Sequence, residues 1–270
     1  MSNLSNIGFD IQSEDDFYSL VEKAYEKSTP LKTVKGTYFQ FSDESGAELW
    51  IQMNKKNELI GMNPHFKGKS KRKVSVTSSI DRPESILDGA FHSWADPLED
   101  DHPESGAYPF VFDVPNHKKY EGIETPQIIE IQLSAFAQEF EYYESEGAFE
   151  NGQEGEPKWA SQSFVPSGLF KPGEGDDPNP PEALGLFTGI IKEFEKRKNE
   201  FTGQEFYWLL VDTLGGEIDV LTDLRFFENT SPGIGGIVHG QFWLSGSILT
   251  EPKVVEKPKG GFLKSLFDNK

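Results

Sequence analysis

Residues 127–143 read QIIEIQLSAFAQEFEYY. Ile129, Ile131, Leu133 and Ala135 recur at a period of two, the mark of a strand with one buried face. The apolar positions then change phase, to Phe140 and Tyr142. A β-bulge inserts one extra residue and absorbs such a shift without ending the strand. A helix over 132–143 is the competing reading. Read as a long strand, this stretch makes the surrounding chain a β-rich fold.

Working back towards the N-terminus, YPFVFDV (108–114), KVSVTSS (73–79) and ELIGM (58–62) read as further strands. TYFQF (37–41) and ELWIQM (48–53) are strands joined by Asp43-Glu44-Ser45-Gly46, residues that favour a hairpin turn. Ser13 with Asp16 forms a capping box, and Phe17, Leu20, Val21, Ala24 and Tyr25 lie on one helix face. Pro30 stops that helix. IGFDI (7–11) reads as a short first strand.

Towards the C-terminus the character changes. Residues 144–182 are acidic and rich in Gly and Pro, around an apolar island, SFVPSGLF (163–170), expected to pack onto a domain. LGLFTGII (184–191), EFYWLLVD (205–212) and EIDVLTD (217–223) are strands, the last two joined by a turn at Thr213–Gly216. IVHGQFWLSGSI (237–248) supplies one or two more, broken at Gly240 and Gly246. The expected fold is α+β and predominantly β. It has two β-rich units, an α+β domain over 1–143 and a β-barrel-like domain over 183–250, with 144–182 as acidic linker and 251–270 as a flexible tail.

Composition narrows function. The chain has 270 residues, 22 Phe and no Cys, with a net charge of −19. The apolar content suffices for a packed core. Without Cys there are no disulfides, thiolate nucleophiles, zinc fingers or iron–sulfur clusters. A strongly acidic surface repels nucleic-acid phosphates, so no nucleic-acid partner is expected. The first residues carry no signal-peptide pattern, and no apolar run is long enough to span a membrane. The expected location is cytoplasmic.

Asp212, Gly215, Gly216, Ile218, Val220, Gly236, Val238 and Gly240 follow a spacing that resembles an OB-fold barrel over 184–250. The resemblance implies a platform where bases stack on aromatics such as Phe206, Trp208 and Trp243 above a basic groove. Here Lys192, Lys196, Arg197 and Lys198 cluster at one strand end beside Glu193, Glu195 and Glu200, which favours protein contacts or a scaffold role. Trp208 and Trp243 are expected in the core. The β-α-β-β-β order over 7–80 resembles a module of the glyoxalase-like (vicinal oxygen chelate) superfamily. That resemblance implies a divalent metal held by His or Glu on the first and last strands. The first strand offers only Ile7, Gly8, Phe9 and Asp10, while Glu48 and His65 lie further on.

Three groups remain as candidate sites. His92, Asp96, Glu99, Asp100, Asp101 and His102 are the densest set of metal-ligand types, with His92, Asp96 and His102 as the candidate ligands. KGKSKRK (67–73) puts five basic residues in seven, and Lys69, Lys71, Arg72 and Lys73 are candidate anion contacts. Phe262, Leu263, Leu266 and Phe267 would share one face of a terminal helix, suited to docking on a partner or touching a membrane surface. Nucleophile elbows and phosphate loops are missing. The expected function is a non-catalytic binding or adaptor protein with a protein partner and no cofactor. The alternatives are a divalent-metal enzyme of glyoxalase-like fold and an acidic inhibitor of the immunity-protein kind.

Overall fold

The computed structural model describes residues 2–83, 85–98, 102, 104–153, 157–169, 179–228 and 230–255. Strand β8 (Gln127–Tyr143) runs unbroken through the stretch quoted above. It pairs antiparallel with β13 (Ile237–Ile248), from Ile131 opposite Ile248 to Tyr143 opposite Ile237. Ala137 faces Phe242 and Glu139 faces Gln241, so Gln138 is the extra residue. The bulge falls where the apolar pattern changes phase.

Two meanders flank this pair. β5 (Arg72–Asp81), β6 (Gly89–Ala95) and β7 (Tyr108–Asp113) form the first. β10 (Leu184–Lys198), β11 (Glu205–Thr213) and β12 (Gly216–Asp223) form the second. In the first, β5 joins β8 antiparallel and β7 meets β13 through one parallel pair, Asp113 with Ser245. In the second, β10 joins β13 antiparallel and β12 lies parallel to β8 over Asp219–Leu221. Each meander is thus closed into a five-stranded ring by the same two long strands. The rings meet along β8 and β13.

This arrangement distributes strands differently from their order in sequence. β8 precedes residues 144–182, yet it completes the ring of β10–β12. β13 follows them, yet it completes the ring of β5–β7. Between lie helix α2 (Glu146–Gly152) and β9 (Ser163–Pro166). β9 pairs with β10, and Phe164 stacks between Tyr108 (4.5 Å) and Phe187 (5.3 Å), so the apolar island packs through Phe164 while Val165 and Leu169 stay exposed. β13 is one strand, not two. Its glycines serve close packing: a Cβ on Gly246 would lie 2.5 Å from the Phe112 ring, and one on Gly240 2.0 Å from the Glu139 carbonyl oxygen.

The N-terminal segment covers one ring from outside. Helix α1 (Glu14–Glu26) starts at Ser13, whose hydroxyl accepts the Asp16 N–H at 3.1 Å. It buries Leu20, Val21 and Ala24, the two larger side chains stabilising by about 1.5–3 kcal/mol each. β1 (Thr29–Lys32), β2 (Gly36–Ser42), β3 (Ala47–Asn54) and β4 (Leu59–Phe66) form an antiparallel meander. Leu49 and Ile51 share a core with outward-facing Phe136, Phe206, Trp208 and Leu210 of the second ring. Residues 7–11 are not a strand. Ser5–Ile7 make a tight 3-10 turn and Gly8, at φ 79°, bends the chain, while Ile7 and Phe9 still enter the core. The β-α-β-β-β order therefore gives way to a helix followed by four strands.

The chain is α+β and predominantly β, with one four-stranded and one nine-stranded sheet. Among the described residues no helix is long and apolar enough to cross a membrane.

Candidate functional site

The basic run 67–73 begins where β4 ends, and one buried carboxylate fixes it. Asp219 on β12 has no exposed surface. Its oxygens accept from Lys69 N (2.9 Å), Ser70 N (3.0 Å), Trp208 Nε1 (2.7 Å) and Gln132 Nε2 (2.7 Å). Bonds to an ionised acceptor are short and strong. Gly68 is required here, because a Cβ would sit 2.1 Å from that carboxylate. The Ser70 hydroxyl then donates to Leu133 O at 3.0 Å, tying the loop to β8.

So held, the loop forms one wall of a cavity of about 550 Å³. Lys67, Lys69 and Lys71 line it from this loop, and Asn116, Lys119 and Tyr120 line it from the segment after β7. Glu48 and Trp50 of β3, Gln132 of β8, and Ser247 and Ile248 of β13 line the rest. Lys69 Nζ pairs with Glu193 at 2.6 Å and lies over the Trp208 ring. Among the described residues Lys67, Lys71 and Lys119 have no carboxylate within ion-pair distance. On a chain of net charge −19, this is a local concentration of unpaired positive charge.

Two buried polar residues sit beneath the rim. Glu48 is 4 % exposed, and its oxygens accept from Gln40 Nε2 (2.9 Å), Ser42 Oγ (3.2 Å) and Trp50 Nε1 (3.0 Å). His65 lies opposite Glu48 in the β3–β4 register. Its Nδ1 is 2.9 Å from Ser245 Oγ and its Nε2 2.6 Å from Ser247 Oγ. Burial lowers the His65 pKa, with Glu48 and Asp219 opposing that shift, so the ring is neutral at pH 7. Glu48 and His65 show in the sequence as metal-ligand types, but their burial does not, because β3 is covered on both faces. Glu48, Trp50 and Gln52 read as the wet face of a half-buried strand, whereas the second layer buries them.

The basic run divides. Lys69 and Lys71 face the cavity. Arg72 turns inward, with Nη2 donating to Gly216 O at 2.7 Å and Nε and Nη1 without partners. Lys73 is exposed on β5 and does not line the cavity. Arg72 and Lys73, expected as anion contacts, thus do not line this cavity: Arg72 is turned inward at the start of β5, and Lys73 lies further along that strand.

His92 is buried on β6, its Nδ1 2.6 Å from Thr77 Oγ1. Asp96 is exposed at φ 45° just past that strand, and His102 is exposed in the following segment. Glu99, Asp100 and Asp101 lie outside the described residues. Among the described residues no three His, Asp or Glu side chains form a group able to hold a metal. Phe262, Leu263, Leu266 and Phe267 also lie outside the described residues.

A second cavity of about 410 Å³ lies between Asp10, Lys198, Glu205, Asp223 and Arg225. Its charges are largely satisfied: Arg225 holds Asp223 at 2.7 Å and Lys196 holds Glu205 at 2.6 Å. The lysine-rimmed cavity is therefore the stronger candidate. Comparison of the chain with protein-family models, curated proteins and solved structures returns no match.

Proposed function

We propose that this chain is a non-catalytic, cytoplasmic binding protein whose partner is a protein, captured through an acidic segment at the lysine-rimmed cavity. The carrying observation is the set of lysines, Lys67, Lys71 and Lys119, that have no ion-pair carboxylate among the described residues and surround a cavity on an otherwise acidic chain. Such a rim attracts carboxylates while the remaining surface repels them, which favours one docking position. The buried groups support binding over catalysis. Three donors hold Glu48 and two hydroxyls hold His65, which fixes both side chains in place as parts of the cavity's structure.

Within this reading the ring of β10–β12 with β13 and β8 is an OB-type barrel used as scaffold. Its support is the three-strand meander, one parallel closing contact and the antiparallel fourth strand. Trp208, at 1 % exposure, is buried between this ring and the N-terminal sheet and offers no open stacking face.

The test is binding of a labelled glutamate-rich peptide by fluorescence anisotropy to the wild type and to a Lys67→Glu/Lys71→Glu variant. The reading requires salt-sensitive binding by the wild type and its loss in the variant. Equal binding by both would remove the cavity from the function.

A further inference from the structure

We propose that the inner end of the lysine-rimmed cavity receives a primary ammonium group, presented by a lysine side chain or an amino terminus with carboxylates beside it. This inference rests on the reading of the rim above and adds the chemistry of the inner end.

Glu48 carries a buried charge whose three donors are all neutral. Among the described residues no cation lies within ion-pair distance of it. Neutral donors satisfy lone pairs but leave the charge uncompensated, a costly state for a buried carboxylate. Gln132 is the independent second observation. It is 4 % exposed, and its Nε2 donates to Asp219 Oδ2 (2.7 Å) and Ser134 Oγ (2.8 Å). Asp219 can only accept, which fixes the amide orientation. Gln132 Oε1 then lies beside the His65 ring, whose two nitrogens are taken by Ser245 and Ser247, and among the described residues no donor meets it with hydrogen-bond geometry.

Glu48 and Gln132 line the same cavity. A carboxylate or phosphate at this end would meet acceptors alone. An ammonium brings three donors and a positive charge, and so satisfies both. The Trp50 ring in the same lining offers a further favourable surface for a cation. The rim excludes a bare amine, because Lys67, Lys71 and Lys119 repel it. The occupant must therefore carry both signs, with the ammonium inside and the carboxylates at the rim.

The experiment uses the full chain and three acidic peptides of one length, followed by fluorescence anisotropy. One is acetyl-capped with a central lysine. The second replaces that lysine with norleucine. The third is the norleucine peptide with a free amino terminus. Binding of either amine-bearing peptide about tenfold tighter than the capped norleucine peptide is expected, and which one gains identifies the source. Glu48→Gln should abolish that preference, so that the amine-bearing peptides and the capped norleucine peptide bind the variant with equal affinity. Because the introduced amide faces the Trp50 N–H, a thermal melt accompanies the variant, and the peptide comparison on the wild type stands without it. Equal affinities for all three peptides would overturn the ammonium site and leave the rim reading intact. No binding by any acidic peptide would overturn both.

Discussion

Ser134 and Ser245 face one another across the β8–β13 pair, and on its other side each stands in register with an aspartate across a short parallel contact. Asp219 lies beside Ser134 and Asp113 beside Ser245. Each aspartate also accepts an indole N–H at 2.7 Å, Asp219 from Trp208 and Asp113 from Trp243. The two rings are thus related about this point, each a three-strand meander that lends its long fourth strand to the other. Residues 144–182 connect two halves that share a sheet.

A first prediction concerns the halves in isolation. A fragment covering 183–255 lacks β8, so β12 and one edge of β13 lose their partners. Exposed strand edges with apolar faces associate instead of folding alone. Expressed separately, 1–182 and 183–255 should each lack a cooperative thermal transition, and mixing them should restore one. A cooperative melt of 183–255 alone would show that the C-terminal unit is independent.

A second prediction follows from the peg that holds the basic loop. Asp219→Ala leaves four donors without an acceptor in a fully buried site. A loss of about 3–5 kcal/mol is expected in urea unfolding. Asp113→Ala should cost less, because that carboxylate is part-exposed and Arg82 can turn to water. Comparable losses for both would mean that the loop anchor is not special.

Glycine packing in β13 gives a third. Gly246→Ala drives a methyl into the Phe112 ring and Gly240→Ala drives one into backbone at Glu139. Overpacking costs about 1–3 kcal/mol, and Gly240→Ala should lie at or above the upper end because a backbone oxygen cannot swing aside. A neutral melting temperature for Gly240→Ala would contradict the unbroken strand.

The buried imidazoles set a pH dependence. Burial and the neighbouring Lys118 lower the His117 pKa to about 3, and burial lowers that of His65. The unfolded chain binds protons on these residues near pH 6.5, whereas the folded chain does not. Their contribution is fully present above that pH and is lost as the pH falls towards the folded values. Stability should decline from about pH 6.5 downward by up to about 1.4 kcal/mol per pH unit per histidine, before the carboxylates titrate. Denaturant titrations at pH 7.5, 6.5 and 5.5 check this, and His117→Gln should flatten the slope. A flat profile over that window would contradict the neutral, buried assignment.

Much of the fold is legible in the chain because its signals are local. The bulge at Gln138 shows as the phase change between Ala135 and Phe140, and the Ser13 cap and the Asp43–Gly46 turn carry their own chemistry. The exchange of β8 and β13 is not legible, since alternation says which face of a strand is buried and nothing about which strand lies beside it. The first strand expected over 7–11 failed because Gly8 takes a left-handed conformation that alternation does not reveal. In the site, Lys69 and Lys71 stand out as charge on an acidic chain. Glu48 and His65 show only as metal-ligand types, and Gln132 and Asp219 not at all, because the burial of all four comes from the N-terminal sheet and the rings covering one another.

The most direct test of the binding account is hydrogen exchange of the full chain with and without the glutamate-rich peptide. Added protection at 67–71, 116–120 and 247–249 is the predicted result, reduced in Lys67→Glu/Lys71→Glu. Protection confined to other segments, or none at saturating peptide, would contradict capture at the lysine-rimmed cavity.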